Sequence, residues 1–86
     1  MTVHIPSALQ SYTAQQREIE VTAATVAEAL SELNRRYPGF RFRIVTEQDT
    51  VRPHMRIFVN ETQTFQLNAS IQQEDHVYIV CALSGG

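Results

Sequence analysis

One amphipathic helix constrains the fold of this chain more than any other feature of its sequence. Thr25-Val26-Ala27-Glu28 is a capping box, in which the threonine hydroxyl accepts a hydrogen bond from the first turn and the glutamate reaches back. Pro38-Gly39 ends the helix. Between these signals the apolar residues recur at helical spacing and form one stripe: Val26, Ala29, Leu30, Leu33 and Tyr37. A helix with one apolar stripe has to pack against one other layer.

The segments around this helix alternate between apolar and polar residues, which is typical of strands with one buried face. Strands are predicted at residues 2–5, 17–21, 40–45, 55–60 and 76–83. Phe40 and Phe42 have an alternative place, because they could instead close the core beside the helix. The order of elements predicts an α+β roll: a mixed sheet of four to five strands packed on one main helix. The last strand is the most continuously apolar, so we expect it beside the first, near the centre of the sheet.

The connections are predicted from their polar residues. Residues 6–16 and 46–54 are expected to be loops, and residues 72–75 a turn. Residues 62–71 are expected to form a polar crossover, in which Leu67 and Ile71 anchor the chain to the core.

Composition favours one globular domain over the whole chain, residues 1–86. Hydrophobic residues make up 43% of the 86 residues and charged residues 19%, which is ordinary for a folded domain. A net charge of −2 argues against a nucleic-acid partner. No apolar run approaches the roughly 20 residues of a membrane helix, and the first residues do not form a signal peptide. A single cysteine fits a reducing compartment, so we expect a cytoplasmic protein without a membrane partner.

The basic residues are seven arginines, and the chain has no lysine. Six of them lie in the middle of the sequence: Arg35, Arg36, Arg41, Arg43, Arg52 and Arg56. Two interpretations stay open. They form a solvated face, or they steer the protein toward an acidic partner.

Few residues are candidates for chemistry within the domain. Cys81 shares the inward face with Val77 and Ile79 by alternation, so we expect it to fill the core, with a sulfur donor as the alternative. The three histidines, at positions 4, 54 and 76, are far apart in sequence and belong to no ligand motif, which predicts surface histidines and no metal site. No serine has the context of a nucleophile elbow. The sequence therefore predicts that this protein is not an enzyme.

The outward face of the predicted sheet is more informative. If Val3, Ile57 and Ile79 point toward the helix, a second set of residues points away from it: His4, Phe58, Tyr78, Val80 and Ala82. A solvent-facing sheet surface is usually polar, and exposed apolar clusters mark interfaces. We expect these residues to form a partner interface. Coverage by one of the chain's own loops is the alternative.

The sequence ends in two adjacent glycines. Glycine occurs at positions 39, 85 and 86, so two of the three stand together after the last strand. Glycine loses more backbone entropy on ordering than any other residue, so a terminal Gly-Gly suggests a need for the missing side chain. A frayed end or a cloning remnant is the alternative.

With this ending, the chain resembles the β-grasp sulfur carriers (MoaD/ThiS-like), relatives of ubiquitin. The matching pieces are Phe58-Val59-Asn60, the stretch from Glu74 to Ile79, and Gly85-Gly86. The stretch from Arg52 to Asn60 looks most like carriers that serve cysteine synthases. Molybdopterin-synthase small subunits often have prolines shortly before the Gly-Gly, where this chain has Cys81-Ala82-Leu83.

The resemblance implies a function. In this family a ubiquitin-activating-type partner enzyme adenylates the C-terminal carboxylate with ATP, and sulfur displaces AMP to leave a thiocarboxylate. Here that carboxylate belongs to Gly86, on a flexible tail of residues 82–86 that includes Ser84 and Gly85. The thiocarboxylate then donates sulfur to a biosynthetic enzyme, cysteine synthase-like or another. No cofactor is expected on the carrier itself, since ATP is used by the partner.

The alternative is a ubiquitin-like modifier, conjugated to target lysines through the terminal Gly-Gly. Because this chain has no lysine, it could not form lysine-linked polymers on itself. An interaction module with an inert tail is a third hypothesis. The pathway stays open among cysteine, thiamine, molybdopterin, methionine and specialised metabolites.

Overall fold

A computed structural model describes residues 1–82 and shows a mixed sheet packed on one main helix. The strands are β1 (Thr2–His4), β2 (Glu18–Glu20), β3 (Met55–Val59), β4 (Thr62–Thr64) and β5 (His76–Cys81). The helices are α1 (Val26–Arg36) and α2 (Phe40–Ile44), with a 3-10 segment at Ser7–Thr13. Strand order across the sheet is β2-β1-β5-β3-β4. The predicted α+β roll is confirmed, with β5 beside β1 at the centre.

Only one pair of strands in the described sheet is parallel. β1 runs parallel to β5, and the other three neighbouring pairs are antiparallel. The register places Val3 beside Val77 and Ile57 beside Ile79. All four side chains are at most 3% exposed, and they form the inner face of the sheet under α1. Period-two alternation in the sequence therefore becomes one buried and one outward face.

The apolar stripe of α1 fills the other half of the core. Val26, Ala29, Leu30 and Leu33 are buried, and Tyr37, just past the helix end, packs against the cluster. The Thr25 hydroxyl accepts a hydrogen bond from the Glu28 backbone at 3.2 Å, as the capping box predicts. The Glu28 carboxylate reaches one residue further back than expected and accepts from the Ala24 amide at 2.9 Å.

The prediction of a strand at residues 40–45 is wrong, because this segment forms α2. Alternation would place Phe40, Phe42 and Ile44 on one face, whereas the helix buries Phe40 and Ile44 and leaves Phe42 55% exposed. The alternative that both phenylalanines close the core thus holds for Phe40 alone. Gly39 begins α2 at φ +97°, in the left-handed region that glycine tolerates. The Asn34 side-chain oxygen, at the end of α1, accepts from the amides of Gly39 and Arg41.

Two connections contain more structure than the sequence predicts. The 3-10 segment within residues 6–16 buries Leu9 and Thr13, and the Thr13 hydroxyl lies within hydrogen-bond distance of two carbonyl oxygens, those of Gln10 and Gln16. β4, within the predicted crossover, pairs with β3 at the edge of the sheet. As expected, Ile71 is buried, and Leu67 packs half-buried against the core.

The first prediction concerns the packing of α1 against the sheet. Replacing Leu30 with alanine should lower the free energy of unfolding by about 2–5 kcal/mol, because Leu30 is 2% exposed and the cavity cannot fully collapse. That is a large part of the roughly 5–15 kcal/mol typical of a domain. Urea unfolding monitored by circular dichroism measures it. Phe65→Ala is the control, since Phe65 is 72% exposed and its loss should change stability by less than about 0.5 kcal/mol. Equal effects of both variants would contradict this packing.

Candidate functional site

The outer face of the sheet carries an aromatic and apolar surface. His4 lies beside Tyr78 in the β1–β5 register, and Tyr78 lies beside Phe58 in the β5–β3 register. Val80 follows on the same face of β5, and Ala82 is exposed just beyond the strand. Tyr78 is 38% and Val80 40% exposed, whereas His4 and Phe58 are half-buried. We call His4, Phe58, Tyr78 and Val80 the sheet-face patch.

This face forms an open groove of about 490 Å³. Its lining residues come from β3, β5 and the β3–β4 turn: Phe58, Asn60, Glu61, His76, Tyr78 and Val80. Within residues 1–82 no loop covers Tyr78 or Val80, so the alternative of coverage by a described loop does not hold. An uncovered apolar groove on a sheet face has the character of a docking surface.

Two histidines meet at one end of this groove. His4 Nε2 and His76 Nδ1 are 2.9 Å apart, so one ring nitrogen donates and the other accepts. The His4 ring stacks on Tyr78, with centroids 4.3 Å apart and an interplanar angle of 10°. His4 Nδ1 also lies 3.9 Å from a carboxylate oxygen of Glu18 on β2. These contacts fix the His4 and Tyr78 rings in the sheet-face patch.

The sequence does not show this pair directly, because 72 positions separate His4 from His76. The prediction of dispersed surface histidines is therefore wrong for these two. The parallel register places Thr2 beside His76 and His4 beside Tyr78, which brings the two imidazoles diagonally together. The predicted adjacency of first and last strands was the signal that could have found it. His54, the third histidine, is exposed on a different part of the surface.

A network of hydrogen bonds holds the turn beside the groove. The Asn60 side chain donates to Asp75 Oδ1 at 3.0 Å and accepts from the His76 amide at 2.9 Å. The Gln72 amide donates to Asp75 Oδ2 at 2.8 Å. The hydrogen bond from the Gln72 backbone, followed by that from Asn60, lowers the pKa of the Asp75 carboxyl below its ordinary value. Asp75 therefore ties the start of β5 to the β3–β4 turn.

The C-terminal segment leaves the sheet beside the β3 strand. Cys81 pairs with Met55 and is half-buried against the core, as expected. The Ala82 amide donates to the His54 carbonyl at 2.7 Å, so this point is the root of the tail. The remaining predicted tail residues (Ser84, Gly85 and Gly86, with Leu83) lie outside the described residues.

Neither a metal centre nor a membrane span is found in the described residues. Across positions 1–82 no three His, Cys, Asp or Glu side chains come close enough together to hold a metal ion. No helix in the same range has the length and apolar character needed to cross a bilayer.

Comparison with known proteins decides the family. The model of the ThiS family matches residues 3–86. The chain belongs to the ThiS family. Among curated protein sequences, none matches this ThiS-family chain significantly.

Solved structures agree with this assignment. The ThiS-family chain superimposes on CysO from the BexX/CysO complex of Amycolatopsis orientalis with a TM-score of 0.91 and 28% identity, covering 99% of this chain and 98% of that one. CysO of Mycobacterium tuberculosis gives 0.88 and 25%, covering 95% and 98%. SAMP1 of Haloferax volcanii gives 0.83 and 21%, covering 100% and 98%, a likeness of fold alone.

Family and fold together confirm the resemblance to β-grasp carriers. The chain is a ubiquitin-like protein of the sulfur-carrier type, and its relatives are small carrier proteins rather than enzymes. The CysO relative occurs in a complex with another protein, BexX.

The second prediction tests the network at the groove. Because the folded-state pKa of Asp75 is lowered, the charged carboxylate stabilises the fold above its unfolded pKa of about 4, and this contribution is lost as pH falls through the folded pKa. Asp75→Asn should therefore lower the melting temperature at pH 7. The difference from the wild type should shrink below about pH 4.

Glu74→Gln is the matched control, because the neighbouring Glu74 carboxylate makes no side-chain hydrogen bond within residues 1–82. Melting curves of the three proteins between pH 3 and pH 7 give the comparison. If Asp75→Asn and Glu74→Gln melt alike at pH 7, the network does not stabilise the turn.

Proposed function

We propose that this protein carries sulfur as a thiocarboxylate on Gly86. The Gly86 carboxylate attacks the α-phosphorus of ATP on a ubiquitin-activating-type partner enzyme, which forms an acyl adenylate and releases pyrophosphate. A hydrosulfide equivalent then attacks the acyl carbon, and AMP leaves with the electrons of the broken C–O bond. An acceptor enzyme, cysteine synthase-like or another, takes the sulfur. The carrier holds no cofactor in this scheme, since ATP belongs to the partner.

The observation that carries this proposal is that the ThiS family match runs through Gly86 itself. Glycine suits the chemistry because a β-carbon would crowd the incoming nucleophile, and its absence lets the backbone enter a narrow site. The segment from Ala82 to Gly86 spans at most about 15 Å when extended, which separates the reacting carbon from the domain. In this proposal the tail, including Ser84 and Gly85, is the reactive segment, and the folded domain provides the surface that the partner binds.

We propose that the partner protein binds the sheet-face patch. Tyr78 and Val80 expose apolar surface in the strand that leads into the tail, so a partner bound there has the tail within reach. His4 and Ala82 border the same surface. The complex of the related CysO with BexX supports a protein partner of this kind.

The remaining expectations follow from the same scheme. Adenylation and sulfur transfer occur on partner enzymes, so the carrier needs no catalytic residues of its own and is not an enzyme. A single cysteine suits a reducing compartment, and we propose a cytoplasmic location.

The third prediction concerns the tail. With its adenylating partner, ATP and a sulfur source, the full chain should gain the mass of one oxygen-to-sulfur exchange, because Gly86 bears the activated carboxylate. Deleting Gly86 should abolish the gain, whereas Ser31→Ala, on α1 and outside the tail, should preserve it. Mass spectrometry of the intact protein measures both. Equal modification of the truncated chain would falsify the proposal, and adducts on target lysines in extract would favour the modifier instead.

The fourth prediction separates the patch from the tail. Phe58→Ala or Val80→Asp should weaken partner binding, since a lost aromatic anchor at an interface costs about 2 kcal/mol or more, roughly thirtyfold in affinity. High partner concentration should restore thiocarboxylate formation in these variants but not in the Gly86 deletion. Calorimetry alongside a melting curve gives affinity and fold integrity.

Ser31→Asp is the matched control for Val80→Asp, because Ser31 is exposed on α1, on the opposite side of the sheet. It should bind the partner as the wild type does. Unchanged affinity of Phe58→Ala and Val80→Asp with normal melting would remove the sheet-face patch from the mechanism.

A further inference from the structure

The charges of this chain are strongly segregated. Residues 35–56 contain six of the seven arginines but only two of the nine carboxylates, Glu47 and Asp49. The rest of the sequence has one arginine, Arg17, against seven carboxylates. The middle of the chain therefore has a formal charge of +4 and the remainder −6, within a total of −2.

Three of the six arginines form ion pairs with two carboxylates. Arg35 and Arg36 both bind Glu32 in α1. The hydrogen bond from Arg35, with that from Arg36, lowers the pKa of Glu32 to about 2, so this carboxylate stays charged. Arg41 binds Asp49.

The other three arginines of this stretch, Arg43, Arg52 and Arg56, form no ion pair within residues 1–82. We call them the basic triplet. Arg52 lies 4.4 Å over the Phe42 ring and donates from Nε to the Phe42 carbonyl at 2.7 Å. Arg43 lies 4.5 Å over Tyr12. Stacking on a ring and bonding to a carbonyl hold a guanidinium in place without removing its charge.

The basic triplet lies on the side of the sheet where the tail begins, since Arg43 and Arg52 share a hollow with His54 and Arg56 pairs with Val80. Arg43 and Arg52 line a hollow of about 260 Å³ together with Phe42 and His54. The His54 carbonyl accepts from the Ala82 amide, so this hollow borders the point where the chain leaves β5. A second hollow, of about 400 Å³, is lined by Arg52 and Arg56.

The triplet also adjoins the sheet-face patch. Arg56 in β3 lies directly beside Val80 in β5. A partner protein that binds the sheet-face patch and receives the tail would therefore also contact the basic triplet.

We propose that the basic triplet docks carboxylate side chains of the partner protein that receives the tail. The inference rests on the proposed function, because it assigns the chemistry of that partner's surface. Arg43 and Arg56 line different hollows that share Arg52, so the triplet offers spaced single-charge contacts. Such spacing fits several carboxylates on a protein surface rather than one phosphate group.

Charge segregation gives this docking an orienting effect. An acidic partner attracts the positive region and repels the rest of the carrier, which carries most of the carboxylates. Because the basic triplet lies near the tail root, encounters are biased toward poses with the tail facing the partner. Such steering acts mainly on the association rate and weakens with salt.

The fifth prediction uses charge reversal. Arg52→Glu and Arg43→Glu should each lower the rate of thiocarboxylate formation at sub-saturating adenylating enzyme by about tenfold at low salt, with a smaller salt dependence than the wild type. At saturating enzyme the rate should equal that of the wild type. Arg17→Glu is the matched control, because it makes the same charge change just before the edge strand β2. Melting curves verify that the variants fold. If Arg52→Glu unfolds, the test rests on Arg43→Glu, because Arg43 is exposed.

A second measurement does not depend on the enzyme. The ¹⁵N-labelled full chain is titrated by NMR with a hexaglutamate peptide, with hexaglutamine as control. Hexaglutamate should shift amides around Arg43, Arg52 and Arg56, and Arg52→Glu should abolish those shifts. Tighter binding of a DNA oligomer of equal charge, or glutamate shifts centred elsewhere, would overturn the assignment.

The two proposals fail in different ways. If the wild type forms no thiocarboxylate at any enzyme concentration, the proposed function is wrong, and the peptide titration still reports on the triplet. If the wild type is converted but the two variants keep its rate and salt dependence, the function stands and the basic triplet has no part in docking.

Discussion

The parallel pairing of β1 with β5 is the interaction on which the rest of this structure depends. It places β5 at the centre of the described sheet, hydrogen-bonded to β1 on one side and to β3 on the other. The inner residues of these strands join α1 in the core, and the outer residues line up across the sheet. The same pairing brings His4 against His76 and Tyr78. In the proposed mechanism, a strand held on both sides is a rigid base for the tail that is presented to the partner.

The two surfaces near the tail root differ in the chemistry of their side chains. The sheet-face patch consists of aromatic and apolar side chains on rigid strands, which suits tight contact through burial. The basic triplet consists of guanidiniums on ring faces and carbonyl groups, which suits attraction over distance. Arg56 beside Val80 joins the two surfaces. In the proposed mechanism, charge aligns the carrier and apolar contact retains it while the tail reacts.

α2 shows how local structure creates a site that pattern analysis misses. As a strand, residues 40–44 would turn both phenylalanines to the same face. As a helix, the segment buries Phe40 and exposes Phe42, on which Arg52 stacks. The Arg52 amide also donates to the Ile44 carbonyl, so the end of α2 fixes the start of this surface. The arginine cluster was visible in sequence, but the distances to Glu32 and Asp49 were required to tell which arginines are ion-paired within residues 1–82.

The sequence by itself determined the capped helix α1, the alternating strands β1, β2, β3 and β5, the central place of β5, and the family resemblance. These features rest on residues close together in the chain or on periodicity, which local physics dictates. Only the tertiary structure decided the helical state of α2, the β4 edge strand and the His4–His76 contact. The pattern Phe40-Arg41-Phe42-Arg43-Ile44 satisfies both a strand of period two and a helix that buries its first and fifth residues. The helical state of this segment depends on contacts outside it. The Asn34 side chain accepts hydrogen bonds from the Gly39 and Arg41 amides, and the first and fifth residues pack beside α1.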